Sequence, residues 1–165
     1  MMKVELRPAR AKDIPVLRRL MQLYLYDFSA IDGRNIGDDG LYGDPARIES
    51  FWTDPKRRSF LVHADGRIAG FVLVRDGAEF AGEGTREISE FFILRRYRRQ
   101  GVGSEIARRV FDEFPGKWEL TQITSNVEAQ AFWRRALGHY TDSRYEELAR
   151  PDGKGVMHRF DSARR

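Results

Sequence analysis

Apolar and polar positions recur along this chain with two periods, and each change of period marks an element. From Met2 to Pro8, Val4 and Leu6 alternate with Lys3, Glu5 and Arg7, the period of a short strand. Asp13 and Pro15 then signal a helix start. Leu17, Leu20, Met21, Tyr24, Leu25 and Phe28 follow at helical spacing, a stripe for burial with Arg18, Arg19 and Gln22 turned outward. Residues 29 to 44 lose all periodicity and are rich in glycine and aspartate, too long a stretch for a plain connection. A short helix is expected over Pro45 to Trp52. The Asp65-Gly66 pair then reads as the turn of a hairpin joining Ser59 to Val62 with Ile68 to Val74.

Further on, Glu79 to Thr85 reads as a polar loop and Glu87 to Leu94 as a third strand of that series. Val102, Ile106, Val110, Phe111 and Phe114 mark a helix stopped by Pro115-Gly116, and Trp118 to Thr124 alternates as a strand. Ser125 with Glu128 reads as a capping box opening a last helix, whose buried stripe is Ala129, Phe132, Trp133, Ala136 and Leu137. Gly138 stands where a left-handed residue would end it. Two strands, around Tyr140 to Tyr145 and Gly155 to Phe160, close the chain. The order βααβββαβαββ predicts an α+β fold with helices on a mostly antiparallel sheet. No repeat, low-complexity tract or linker interrupts it, so residues 1–165 are expected to form one domain.

Composition removes whole classes of chemistry. The 165 residues include no cysteine, which excludes disulfides, thiolate metal sites and a catalytic thiol. No apolar run approaches the roughly 20 residues of a membrane span, and no secretory signal opens the chain, so a cytoplasmic protein without a membrane partner is expected. His63, His139 and His158 are scattered without ligand spacing, so no metal is expected, and Ser104 and Ser125 lack a nearby His/Asp arrangement. The net charge of +4 admits a polyanionic partner, and Arg95, Arg96, Arg98 and Arg99 cluster where guanidinium groups suit phosphates. Basic and aromatic residues are not interleaved as in a nucleic-acid reader, and no nucleic-acid partner is expected.

The stretch Arg98-Arg99-Gln100-Gly101-Val102-Gly103 lies between an apolar strand and an amphipathic helix. Glycine there lets backbone approach a ligand, and the unpaired amides of a first helical turn favour a phosphate or pyrophosphate. The stretch lacks the Gly-Lys-Ser/Thr of a Walker loop and the third glycine of the dinucleotide fingerprint.

These residues resemble the GNAT superfamily of acyl-CoA-dependent N-acyltransferases, whose signature Gln/Arg-x-x-Gly-x-Gly/Ala joins the fourth strand to the third helix. Glu90-Phe91-Phe92-Ile93-Leu94 and Tyr97 are similar to that fourth strand and its exit, and Asn126, Ala129, Phe132 and Leu137-Gly138 to a second signature. The resemblance spans essentially the whole chain and implies the GNAT fold, a central mixed and mostly antiparallel sheet flanked by helices. It implies acetyl-CoA as co-substrate, with its pyrophosphate on the backbone from Arg98, Arg99, Gln100, Gly101, Val102 and Gly103 to Ser104. The pantetheine arm would lie along Phe91, Phe92 and Ile93, where the fourth and fifth strands splay, and would bond Asn126. Implied activity is acetyl transfer to a primary amine, by direct attack, on a small-molecule or peptide acceptor; a homodimer is a common family state.

An amine must lose its proton to attack, so a carboxylate near the splay is expected as general base. Glu90 and Glu87 are the candidates, and Glu90 directly precedes the acetyl-binding segment. Strand parity lets only one of them face the pocket unless a bulge intervenes. Many family members carry a tyrosine seven residues after the motif asparagine. Here that position is Trp133, which can donate a hydrogen bond but not titrate as an acid, and Tyr140 is the nearest substitute proton donor. That departure leaves a non-catalytic acyl-CoA-binding module as the alternative. Residues 29 to 57 are expected to wall the acceptor pocket.

Overall fold

A computed structural model describes residues 1–164. Strand β1 (Val4–Pro8) leads through a single 3-10 turn into α1 (Ile14–Asp32), α2 (Pro45–Thr53), β2 (Arg57–Ala64), β3 (Arg67–Ala78) and β4 (Gly82–Ile93). There follow α3 (Val102–Glu113), β5 (Lys117–Ile123), α4 (Val127–Thr141), β6 (Glu146–Ala149) and β7 (Gly155–Asp161). The strands form one sheet in the order β1-β2-β3-β4-β5-β7-β6, and of its pairings only β4 with β5 is parallel. The α+β reading and its element order hold.

Both faces of the central strands are covered, which is why their sequences run apolar rather than alternating. On one face Leu61, Phe71, Leu73 and Phe92 pack under Leu17, Leu20, Met21 and Leu25 of α1 and Phe51 of α2. On the other, Val72, Val74, Ile88, Trp118 and Leu120 meet Ile106, Val110 and Phe111 of α3 and Trp133 and Leu137 of α4. Burial of an aliphatic or aromatic side chain contributes about 1.5–3 kcal/mol, so the two stripes read from the sequence anchor the two helical layers.

The structure corrects the ends of several elements. Asn126, not Ser125, caps α4: its side-chain oxygen accepts the Ala129 amide at 3.2 Å. Helix α4 runs past Gly138 to Thr141, and the left-handed residue is Asp142, at φ 51°. Tyr140 and Thr141 are therefore helical, not part of a strand, and β6 begins only at Glu146. Packing decides this: the Tyr140 ring lies 5.1 Å from Phe111, and the Thr141 hydroxyl donates to the Leu137 carbonyl at 2.8 Å. Glycine has no side chain with which to resist helix when its neighbours are held so. The polar loop expected over residues 79 to 85 shrinks to a tight turn, for reasons that lie in the site.

Candidate active site

Strands β4 and β5 pair only over Thr85 to Glu87 against Lys117 to Glu119, then diverge. From Ile88 to Ile93, β4 keeps β3 as its neighbour, so its other backbone edge is open toward the divergence. A β-bulge sits at the same place. Leu73 pairs with Glu90 but Val74 with Ile88, which leaves Ser89 as the extra residue. A bulge bends its strand and resets the alternation of side chains. Glu87, partner of Arg75, and Glu90, partner of Leu73, thus share the face covered by α1 and α2. Ser89 carries no pattern that marks it in the sequence, so simple parity separated two glutamates that the fold brings to one side.

Their surroundings differ. Glu87 is 7% exposed and accepts the Glu79 amide at 2.9 Å, with the Arg75 guanidinium at 3.4 Å. Its register partner Glu119 is fully buried and accepts the Phe80 amide at 3.0 Å and Arg159 at 2.9 Å. Side by side, these carboxylates hold the amides of the β3–β4 turn, which explains why the strands extend so close to it. Burial pushes the Glu87 carboxyl up, against the pull of the Glu79 amide and Arg75.

Glu90 has no such clasp. Desolvation pushes its carboxyl up to about 7, although a hydrogen bond from Tyr24 and the charges of Arg57, Arg47 and Arg34 pull the other way. Tyr24 is itself raised well above its ordinary value, by burial and then by the Glu90 charge, so the phenol keeps its proton and donates it. The sequence placed Tyr24 in the apolar stripe, and its ring does pack there, 5.5 Å from Phe92 and 5.9 Å from Phe71. The signal for a second role was the hydroxyl, since a buried phenol requires a hydrogen-bond partner.

The loop ahead of α3 has alternating handedness, with Arg99 at φ 58° and Gly101 at φ 81°. The first intrahelical bond runs from the Glu105 amide to the Gly101 carbonyl at 3.0 Å, so the Val102, Gly103 and Ser104 amides precede the ladder and face out of the helix N-terminus. Successive amides in such a turn make a concave anion site. A Cβ at Gly101 would meet nothing within 4 Å, whereas one at Gly103 would lie 3.1 Å from the Phe132 ring. The arginine cluster divides. Arg98 donates to the Ile93 carbonyl at 2.7 Å and pairs with Asp27 at 2.6 Å, and Arg95 pairs with the same Asp27 at 2.5 Å. Burial would raise Asp27, but these two arginines outweigh it and hold its carboxyl below its ordinary value. Arg95 and Arg98 therefore tie the loop to α1 rather than offering guanidinium groups to a phosphate. Gln100 likewise folds back, its side chain donating to the Arg96 carbonyl at 2.5 Å.

Phe91 stands between the open edge of β4 and α4, 5.6 Å from Phe132 and 5.0 Å from Trp133. Trp133 is 6% exposed and packs also on Phe132. Asn126, with its oxygen committed to the cap, retains its amide NH2 as a donor. Tyr140 is not brought to this place. Seven residues along α4 from Trp133, about 10 Å at helical rise, its hydroxyl donates to Asp112 of α3 at 2.9 Å. Tyr140→Phe is expected to change turnover less than tenfold and to lower stability by about 1 kcal/mol; an inactive variant that still binds acetyl-CoA would make Tyr140 the acid.

A surface depression of about 620 Å³ lies at the other end of β5 around Lys117, Trp118 and Phe160, away from Glu90 and the loop ahead of α3. Among the described residues no group of histidine and acidic side chains is arranged to hold a metal ion, and no helix is long and apolar enough to cross a membrane.

A splayed strand pair, a bulge beside it and an amide-lined helix N-terminus are thus assembled around one opening. The family model of the acetyltransferase (GNAT) family matches residues 18–139. The chain belongs to that family. Its fold is shared by an acetyltransferase from Thermus thermophilus, at 17% identity over 96% of this chain and 97% of that one, with a TM-score of 0.72. A spermidine N-acetyltransferase from Vibrio cholerae, solved with CoA and spermine, matches at 13% identity over 98% and 96%, TM-score 0.66. The ribosomal-protein-S18-alanine N-acetyltransferase from Escherichia coli matches at 15% over 99% and 95%, TM-score 0.61. No curated protein matches the chain by sequence. This GNAT acetyltransferase therefore keeps the family fold at low sequence identity to these solved structures.

Proposed function

We propose that this GNAT domain transfers the acetyl group of acetyl-CoA to a primary amine, with Glu90 as general base. The observation that carries the reading is Glu90 itself: a carboxylate raised to about 7, held by Tyr24, on a bulge beside the open edge of β4. A base is most effective when its pKa lies near the working pH. Glu87 is engaged by the Glu79 amide and Arg75 and serves the sheet instead.

The chain's residues suit the co-substrate. Amides of Val102, Gly103 and Ser104 would hold its diphosphate at the helix N-terminus, assisted by the macrodipole. The backbone edge of Phe91 to Ile93 would take the pantetheine amides as an added strand, although the Ile93 carbonyl already accepts from Arg98. Asn126 would donate its NH2 to the same arm. The solved spermidine N-acetyltransferase carries CoA on the same fold, which supports this placement.

In the reaction Glu90 accepts a proton from the acceptor ammonium, directly or through one water. The neutral nitrogen then attacks the thioester carbon, and as the carbon–sulfur bond breaks the nitrogen's second proton passes to the departing thiolate or to water. With a thiol pKa near 8.5, departure as thiolate at pH 7 carries a penalty of about 1.5 units, roughly 2 kcal/mol, so no dedicated acid is required. Trp133 in place of a tyrosine is compatible with this, and Trp133→Tyr is expected to fold and to keep or raise turnover.

The same tryptophan, with Tyr140 occupied at Asp112, favours one second reading: an acyl-CoA-binding module without turnover. CoA release measured across an amine panel, alongside thermal stabilisation by acetyl-CoA, separates the two. Stabilisation with release supports the transferase, stabilisation without release on any amine supports the module, and neither sinks both.

A further inference from the structure

Gln122 is a polar side chain inside the core that bonds to nothing. It is 6% exposed, and its amide nitrogen Nε2 and oxygen Oε1 are both shut off from solvent without a hydrogen-bond partner among the described residues. Buried polar atoms are nearly always paired, and an orphaned amide has given up its hydration with nothing to replace it. An apolar side chain of the same size would fill the position without that cost. Gln130 of α4 commits its own NH2 to the Ile123 and Thr124 carbonyls, at 3.0 and 3.1 Å, and leaves Gln122 unmatched.

Register says where Gln122 stands. Strand β5 pairs regularly with β7 from Lys117 to Ile123, so its side chains alternate without a slip and Gln122 shares the face of Trp118 and Leu120, under α3 and α4. Toward β4, pairing stops at Glu87 with Glu119. Three residues on from Glu119 is Gln122; three on from Glu87, passing over the extra Ser89, is Phe91. Phe91 pairs with Val72 of the same core and packs against Phe132 and Trp133. Gln122 and Phe91 therefore flank the divergence from its two strands, on one face. Asn126 lies beyond the end of β5, so Gln122 is the side-chain amide nearer the point where the strands part.

We infer that Gln122 is a binding residue for the amide-bearing arm of the acyl carrier, holding it from β5 at the thioester end, opposite the backbone of Phe91. This rests on the acetyl-CoA placement proposed above and adds a side chain to it. The match is one of donors and acceptors. Nε2 requires an acceptor and Oε1 a donor; a thioester supplies acceptors alone, whereas the two amides of the pantetheine arm supply both kinds. In the free protein the amide is closed in, and rotation about its side-chain torsions turns it toward the open strand edges once an arm lies between them. The orphaned amide disfavours the empty site and is satisfied in the filled one, so removing it acts on stability and on affinity with opposite signs.

The test uses the full chain, with acetyl-CoA and ADP as probes, the second carrying a diphosphate without the arm. Gln122→Leu removes both orphaned atoms at similar volume, so the ligand-free variant is expected to gain about 2–6 °C in Tm. Its affinity for acetyl-CoA is expected to fall about tenfold, with affinity for ADP at the wild-type value. Gln122→Met, unbranched and of the same length, is expected to move the readouts the same way and guards against a packing fault particular to leucine. A residue that only supports the fold would lower Tm and affinity together. Unchanged affinity for acetyl-CoA in both variants overturns the inference and leaves the placement of the co-substrate standing. A fall in ligand-free Tm overturns it as well, since Gln122 would then have a partner inside the fold. An equal loss for ADP does so too, by locating the effect at the loop ahead of α3 rather than at the arm. Failure of wild type to bind acetyl-CoA overturns the placement and the inference together.

Discussion

Glu90→Gln is expected to lower turnover a hundredfold or more while sparing acetyl-CoA affinity, because the acceptor enters as an ammonium ion with a pKa near 10.4 and a positioned base is worth at least about that factor. The rate in wild type should rise with pH through about 7, as Glu90 loses its proton, and the variant should lack that limb. Tyr24→Phe removes a hydrogen bond that favours the charged carboxylate, so it should move the limb to higher pH. Stability carries the opposite signature. A carboxyl raised from 4.5 in the unfolded chain to about 7 in the fold keeps a proton that the unfolded chain has lost, so stability falls as pH rises across that window. Glu90→Gln is therefore expected to stabilise the protein by roughly 2–3 kcal/mol at pH 8 and hardly at all at pH 4. Full activity in Glu90→Gln with loss in Glu87→Gln would transfer the role of base to Glu87.

Gly101→Val and Gly103→Val are each expected to abolish acetyl-CoA binding, for different reasons. Gly101 has φ 81° with empty space where a side chain would project, so valine there strains the backbone that aims the amides and fills the approach to them. Gly103 is limited by packing, since a valine would press on the Phe132 ring 3.1 Å away and displace α3 against α4. In wild type a hundredfold excess of acetyl-CoA over its dissociation constant stabilises by about 2.7 kcal/mol, some 5–10 °C in Tm for a chain of this size. Neither variant should respond. An unmoved Tm in wild type would remove the assignment of the loop itself, and a full response in Gly101→Val would show that the amides act without the left-handed turn.

Local sequence was enough for the two helical stripes, the hairpin at Asp65-Gly66, the run of strands and helices, and the glycine-bearing loop at the start of α3. Periodicity selects which face is buried, and glycine with its missing side chain marks where backbone must turn left-handed or approach closely. The stop at Gly138 and the strand at Tyr140 failed because local signals there were outweighed by packing, with Tyr140 held against Phe111 and bonded to Asp112 two elements away.

The chemistry of the opening, by contrast, exists only once the chain has folded. The bulge at Ser89 depends on how β4 registers with β3, and it alone puts Glu87 and Glu90 on one face. Glu119, 32 positions from Glu87 in the chain, pairs with it in register, and together they hold the β3–β4 turn. Asp27 captures Arg95 and Arg98, which read in the sequence as free basic charge. Tyr24 of α1 bonds Glu90 of β4, and the charges that lower its carboxyl come from a loop, α2 and β2, on Arg34, Arg47 and Arg57. A carboxyl's pKa is set by burial and by the charges that surround it in space, and neither is a function of neighbours along the chain.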